Sequence, residues 1–288
     1  MLEINEINDP KVTVVIPCYN DGKYLQDAVN SILAQTFTDF KIIIIDDGST
    51  DEYTNRVLQN FDSHKISVIS KENGGVSSAR NLGISKTNSK YILVLDADDY
   101  FDKFFLEKAV SILEKSEDIG VVTCYYKPFD IPIWQESKTK KVKGGTIKDF
   151  LLGSKAIGNS LFRRECWEET GGYDENLVAE EDWEFWINVA KRNWKIYSIP
   201  EVLFYHRYTN KSLHKKHYKT RDQRFKYIVE KHKDVYEKYA VTCINELFKR
   251  NHISYLNITN SMSFKIGNKL VKPFKITYSF ITKLLYSS

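Results

Sequence analysis

Five short apolar runs, each followed by residues of helical period, constrain this chain more than anything else in it. "VTVVI" (12–16), "FKIIII" (40–45), "ISVIS" (66–70), "YILVL" (91–95) and "VVTCYY" (121–126) begin 25 to 30 residues apart. After the first, Leu25, Ala28, Val29, Ile32 and Leu33 fall at i, i+3, i+4, i+7 and i+8, one face of a helix. Further helices are expected from about Glu52, near Val76 and from about Asp102, the last with Leu106, Ala109, Val110 and Leu113 on one face. A strand that is apolar along its whole length has both faces covered. Repeated strand–helix units of this kind predict an α/β fold: a mostly parallel central sheet flanked by helices.

Beyond Tyr126 the pattern loosens. Residues 127–145 mix prolines, lysines and glycines without a period and predict a mobile loop. A short strand, a small helix, a turn at Gly171–Gly172 and a helix from about Glu181 follow, and then a basic, helix-rich stretch. The expected division is a domain over 1–214 and a mainly helical C-terminal extension over 215–288. Charge divides the chain as well. After Glu246 there are seven Lys and Arg and no acid, which turns the net +4 into −3 for the first 246 residues.

With 42% hydrophobic and 28% charged residues the composition is that of a soluble globular protein. No stretch reaches the roughly 18 apolar residues of a membrane span. The start, "MLEINEINDPKV", carries acids where a signal peptide is basic and apolar. Cys18, Cys124, Cys166 and Cys243 form no C-x-x-C pair, which predicts reduced thiols and a cytoplasmic place. No G-x-G-x-x-G follows the first strand and "NGGVSSAR" is not a phosphate loop, so a dinucleotide oxidoreductase is disfavoured. No nucleic-acid partner is expected.

Ligands of open parallel sheets bind outside the carboxyl ends of the strands. Two acidic groups fall at such ends, Asp46-Asp47 after "KIIII" and Asp96-x-Asp98-Asp99 after "YILVL". Unpartnered carboxylates at the end of a buried strand cost several kcal/mol or more. A hard divalent cation, Mg²⁺ or Mn²⁺, would neutralise the second group and still leave ligand positions for phosphate. Asp99 and Asp102 are expected to cap the next helix.

The runs "VTVVIPCYNDGKYLQDAVNSILAQTFTDFKIIIIDDGSTD", "NGGVSSARNLGI", "YILVLDADD", "GGYDE" and "EEDWEFW", in that order over residues 11–210, resemble the family-2 glycosyltransferases of the GT-A fold, the inverting, bacterial polysaccharide type. The resemblance implies transfer of a sugar from a nucleotide diphosphate donor, with UDP expected, to a hydroxyl of a glycan or lipid-linked acceptor. It implies a hexosyl- or N-acetylhexosaminyltransferase with a Mn²⁺ or Mg²⁺ cofactor. By motif, Pro17 and Tyr19 would pack on the nucleobase, Asp47 would bind it, and Arg80 would lie near the nucleotide. Asp96 and Asp98 would be the metal and ribose pair, with Asp98 the direct ligand. His206 would complete the metal shell, contact phosphate or be structural, because "YHRYTNKS" departs from the family's aromatic-Arg-x-His-x-x-Ser pattern. Arg207 and Lys211 are candidates for the diphosphate.

Moving a glycosyl group onto a hydroxyl requires a base, and one carboxylate suffices for single-displacement inversion. "AEEDWEFW" offers Glu180, Glu181, Asp182 and Glu184. By residue type these are ordinary acids at a helix N-terminus; the family order assigns the base to Asp182. The basic, apolar tail, 247–288, is expected either to lie on an anionic membrane surface at the inner face of the plasma membrane or to pack on the catalytic domain. Two other readings remain: a nucleotide-sugar-binding partner subunit without catalysis, and a phosphatase with an Asp nucleophile.

Overall fold

The computed structural model describes residues 9–61, 63–132, 136–208, 220–262, 264–266 and 269. The strands are β1 (Val12–Cys18), β2 (Phe40–Asp46), β3 (Ile66–Ser70), β4 (Tyr91–Val94), β5 (Tyr100–Phe101), β6 (Ile119–Phe129), β7 (Leu161–Arg163) and β8 (Lys195–Arg207). The helices are α1 (Gly22–Leu33), α2 (Glu52–Leu58), α3 (Val76–Ser85), α4 (Phe105–Lys115), α5 (Ile147–Phe150), α6 (Arg164–Thr170), α7 (Glu181–Lys191), α8 (Arg221–Lys231), α9 (Lys233–Lys238) and α10 (Ala240–Asn260).

The strands form one sheet in the order β3-β2-β1-β4-β7-β6-β8-β5. The pairs β1–β2, β1–β4, β2–β3 and β6–β8 are parallel. The expected mostly parallel α/β sheet is thus present, and in it β6 does not lie beside β4. Three buried residues, Leu161, Phe162 and Arg163, form β7, which runs antiparallel between them.

Alternation along β1 divides the core. Val14 and Ile16 face α1 and α4 through Leu25, Ala28, Val29, Leu106, Ala109 and Val110. Val15 faces the other layer, with Ala79 of α3, Phe185 and Trp186 of α7 and Ile228 of α8. Successive strand residues point to opposite faces, so a continuous apolar run fits a sheet covered on both. Of the α1 face, Leu33 at the helix end is 46% exposed rather than buried. α4 starts at Phe105, not Asp102, because buried Gln35 caps it: its Oε1 accepts from Leu106 N (2.9 Å) and its Nε2 donates to the Asp102 carbonyl (2.8 Å).

The expected loop at 127–145 is in part sheet. β6 continues to Phe129 beside Arg207, and Lys140 exchanges both backbone hydrogen bonds with Tyr126 (3.0 and 2.8 Å). All four cysteines are free thiols.

The chain divides into compact units Met1–Val235 and Tyr236–Ser288. α8 belongs to the first because Arg224, Ile228 and the following His232 are buried there. In the second unit no side chain of α10 is buried; Val241 is 72% and Phe248 71% exposed. No helix among the described residues is long and apolar enough to cross a membrane. Most of the 247–288 tail after Ser261, and Lys211, lie outside the described residues.

Candidate active site

Because β1 pairs with both β2 and β4, the carboxyl ends of these three strands lie side by side. The first end is a stitched turn. Asn20, in the left-handed region at φ 56°, accepts through Oδ1 from the backbone N–H groups of Thr50 (2.8 Å) and Asp51 (3.0 Å). Asp46 Oδ1 accepts from Ser49 N (2.9 Å). Pro17 is buried within β1, whereas Tyr19 stands 46% exposed beyond it.

Asp47 is 3% exposed and already engaged. Its carboxylate accepts from Lys71 Nζ (2.8 Å), Gly74 N (2.9 Å) and Gly75 N (2.8 Å), which fixes the turn that starts α3. These donors use three of about four lone-pair sites.

That turn aims Arg80 inward. Arg80, 3% exposed, donates from Nη2 to Asp96 Oδ1 (2.8 Å) and from Nη1 to Glu181 Oε1 (2.7 Å), joining the end of β4 to the start of α7. Burial alone would favour neutral arginine, but Asp96 and Glu181 outweigh it and its pKa is raised. The effect on Asp96 is reciprocal. Burial would raise it, yet Arg80 and the Asn159 amide hold it below the usual carboxylate range. Asn159 clasps Asp96 at both ends, accepting from its N–H (2.6 Å) and donating to Oδ2 (3.2 Å).

Asp98 differs from its neighbour. No described side chain donates to it, and burial, then Asp99, Asp96 and Asp21, push its pKa up to about 7. Asp99 does not cap α4 as expected. It accepts from His206 Nδ1 (3.0 Å) and Arg207 N (2.8 Å), because β5 pairs Tyr100 with Tyr205 and brings the acidic turn against β8. Burial would lower the His206 pKa; the Asp99 hydrogen bond reverses this and raises it to about 9. Arg207 is already engaged within the protein. Its guanidinium binds the Asp98 carbonyl (2.9 Å), Asp27 (2.9 Å) and Asp130, stacked by Tyr24 and Phe129.

A cation suits part of this set. Among the described residues no three His, Cys, Asp or Glu side chains converge to hold one alone. Mg²⁺, however, is commonly held by one or two carboxylates with phosphates completing the shell. Asp98 fits that need, a hard donor that forms no ion pair among the described residues. Each Asp96 oxygen already accepts one hydrogen bond, from Arg80 or Asn159, and His206 would have to lose a proton before ligating.

The four acids at the start of α7 are sorted by partner. Glu180 pairs with Arg224, and Glu181 with Arg80. Glu184, fully buried, pairs with Lys231 (2.9 Å) and His232 (2.8 Å). Asp182 has no ion-pair partner among the described residues; its Oδ1 accepts from Trp183 N (2.7 Å), and Gly158 passes so close that a Cβ there would lie 3.1 Å from Oδ2. Burial, then the Glu181 charge, raise its pKa to about 7 against Arg80 and the Trp183 N–H.

The structure therefore joins Arg80, Asp96 and Glu181 directly, with Asp182, Asp98 and His206 in the same electrostatic field. Asp47 is held apart in the Lys71–Gly75 turn. Sequence reasoning missed Asn20, Lys71, Gly158, Asn159 and Arg224, whose only sequence signal is a polar or small residue beside an element end.

The sequence model described as glycosyl transferase family 2 matches residues 13–171, more than half of the chain, and ends before Asp182. An uncharacterized glycosyltransferase of Rickettsia conorii is 32% identical over 194 residues, 65% of this chain and 31% of that protein. One from Methanocaldococcus jannaschii is 29% identical over 215 residues, covering 72% and 74%. The chain thus spans about a third of the Rickettsia relative. Among solved structures, S. aureus TarS 1–349 in complex with UDP has a TM-score of 0.57 at 21% identity, covering 69% of this chain and 61% of that one. The same protein with UDP-GlcNAc gives 0.58 at 22%, covering 70% and 60%. These two likenesses are of fold, GT-A. With the family model spanning the strand ends and their acids, this chain belongs to glycosyl transferase family 2.

Proposed function

We propose that this chain transfers a hexosyl or N-acetylhexosaminyl group from a UDP-sugar to a hydroxyl of a glycan or lipid-linked acceptor in cell-surface polysaccharide synthesis, with inversion. Asp182 is the base. It takes the acceptor hydroxyl proton as that oxygen bonds to the anomeric carbon, whose bond to the diphosphate oxygen breaks. One observation carries this assignment: of four acids at the start of α7, Asp182 alone has no ion-pair partner among the described residues, and its pKa near 7 suits a base at neutral pH.

Tyr19 supplies an exposed ring for the nucleobase, and Asp47 fixes the turn beside it with one acceptor site to spare. Arg80 and Asn159 hold Asp96 at the ribose. Asp98 anchors Mn²⁺ or Mg²⁺, and His206 adds positive charge near the diphosphate. When bound, the cation supplies charge neutralisation to the leaving diphosphate. The seven Lys and Arg and the apolar groups of 247–288 engage an anionic membrane surface.

A screen of the purified protein against nucleotide sugars with Mn²⁺ tests the reading. Released nucleoside diphosphate is expected. Inorganic phosphate would instead indicate a phosphatase, and tight binding without turnover a non-catalytic partner.

A further inference from the structure

Asp182 sits between two buried ion pairs made by one helix that lies beyond the residues matched by the family model. Arg224 of α8 reaches Glu180, two residues before Asp182, with both side chains 8% exposed. At the other end of α8, Lys231 and the adjoining His232 meet Glu184, two residues after it, in a fully buried carboxylate. Between them Phe225 stacks on Trp183 (5.6 Å) and Ile228 enters the core. Glu180 itself is in the left-handed region at φ 61°, which costs a non-glycine residue of order 1 kcal/mol or more. The next residues then diverge, Glu181 toward Arg80 and Asp182 toward Gly158.

We propose that Arg224 and His232 are positioning residues for Asp182, and that α8 is a brace that holds the start of α7 in its strained, base-presenting turn. This rests on Asp182 being the base. The physical argument is one of alternatives. A left-handed residue persists only where its surroundings over-determine it. The Glu180–Arg224 pair supplies that constraint, and the Glu184 pairs stop α7 from rotating to relieve it. A displacement near 1 Å at a reacting group can cost about 100-fold in rate.

The test is kinetic, on the full chain. Arg224→Met is expected to lower kcat ten- to 100-fold, leave KM for the donor within twofold, and move the acid limb of the kcat–pH profile. Arg224→Lys should recover most of the loss. A merely structural role would lower the melting temperature and leave kcat and the acid limb unchanged well below it. That result overturns the proposal, as does equal loss in Arg224→Lys and Arg224→Met. His232→Gln, acting through Glu184, is read in the same way and decides the matter if Arg224→Met does not fold. Asp182→Asn run alongside separates the two ideas: if it keeps full turnover the base assignment fails, whereas an inactive Asp182→Asn with an unaffected Arg224→Met removes only the brace.

Discussion

Replacing Asp182 by Asn separates what this side chain contributes to chemistry from what it costs the fold. The amide keeps the size and can still accept from Trp183 N, but it cannot take a proton. Turnover should fall about 10²–10⁴-fold, the scale of general-base catalysis, with UDP affinity unchanged. Stability should move the other way. A carboxyl raised from 3.8 to about 7 binds its proton more tightly folded than unfolded. The folded protein therefore carries more protons between those pH values, and stability falls as pH rises through that window. At about 1.4 kcal/mol per tenfold change in proton affinity the ceiling is about 4 kcal/mol; partial exposure and coupling to Glu181 reduce it to about 1–3 kcal/mol. The variant, free of this penalty, should melt about 2–12 °C above wild type at pH 8, given 2–4 °C per kcal/mol for a domain of this size. At pH 4 the two should melt alike. In wild type, kcat should drop tenfold per pH unit below about 7. Turnover within tenfold of wild type, or a lower melting point at pH 8, refutes the reasoning.

Asp98→Asn should abolish transfer, and Mn²⁺ with UDP should then no longer raise the melting temperature as it does for wild type; an undiminished shift would remove Asp98 as the cation's anchor. Arg80→Met leaves Asp96 and Glu181 without their shared cation and should cost about 3–5 kcal/mol in denaturant unfolding. It should also push the acid limb of kcat upward, since Arg80 opposes the rise at Asp182; a limb that stays at about 7 contradicts that coupling. Full-length protein should co-sediment with anionic vesicles and a version ending at Glu246 should not, so equal binding by both excludes the tail as the contact.

What the sequence disclosed and what it withheld follow from the range of the interactions. The strands of β1, β2 and β4 were legible because burial on both faces writes itself into five or six consecutive residues, and acids at the ends of such runs are conspicuous. The start of α7 at Glu181 was equally local. Partners were not. Arg80 meets Glu181 across 101 residues, Asp96 meets Asn159 across 63, and Arg224 meets Glu180 across 44. β7 was expected only as a short strand, and nothing in its three residues marks it as the antiparallel link between β4 and β6.

The same range decides the chemistry. Residue type could not separate four acids in five positions, and the preference for Asp182 came from family order alone. Folding separates them by giving each of the others a described partner: Arg80 from α3 for Glu181, Arg224 from α8 for Glu180, and Lys231 with the adjoining His232 for Glu184. Asp182, left among the described residues with a backbone N–H and a like-charged neighbour, is driven toward its protonated form. Under the proposed function, the base is therefore marked out less by Asp182 itself than by Arg80, Arg224 and Lys231, which pair with its competitors.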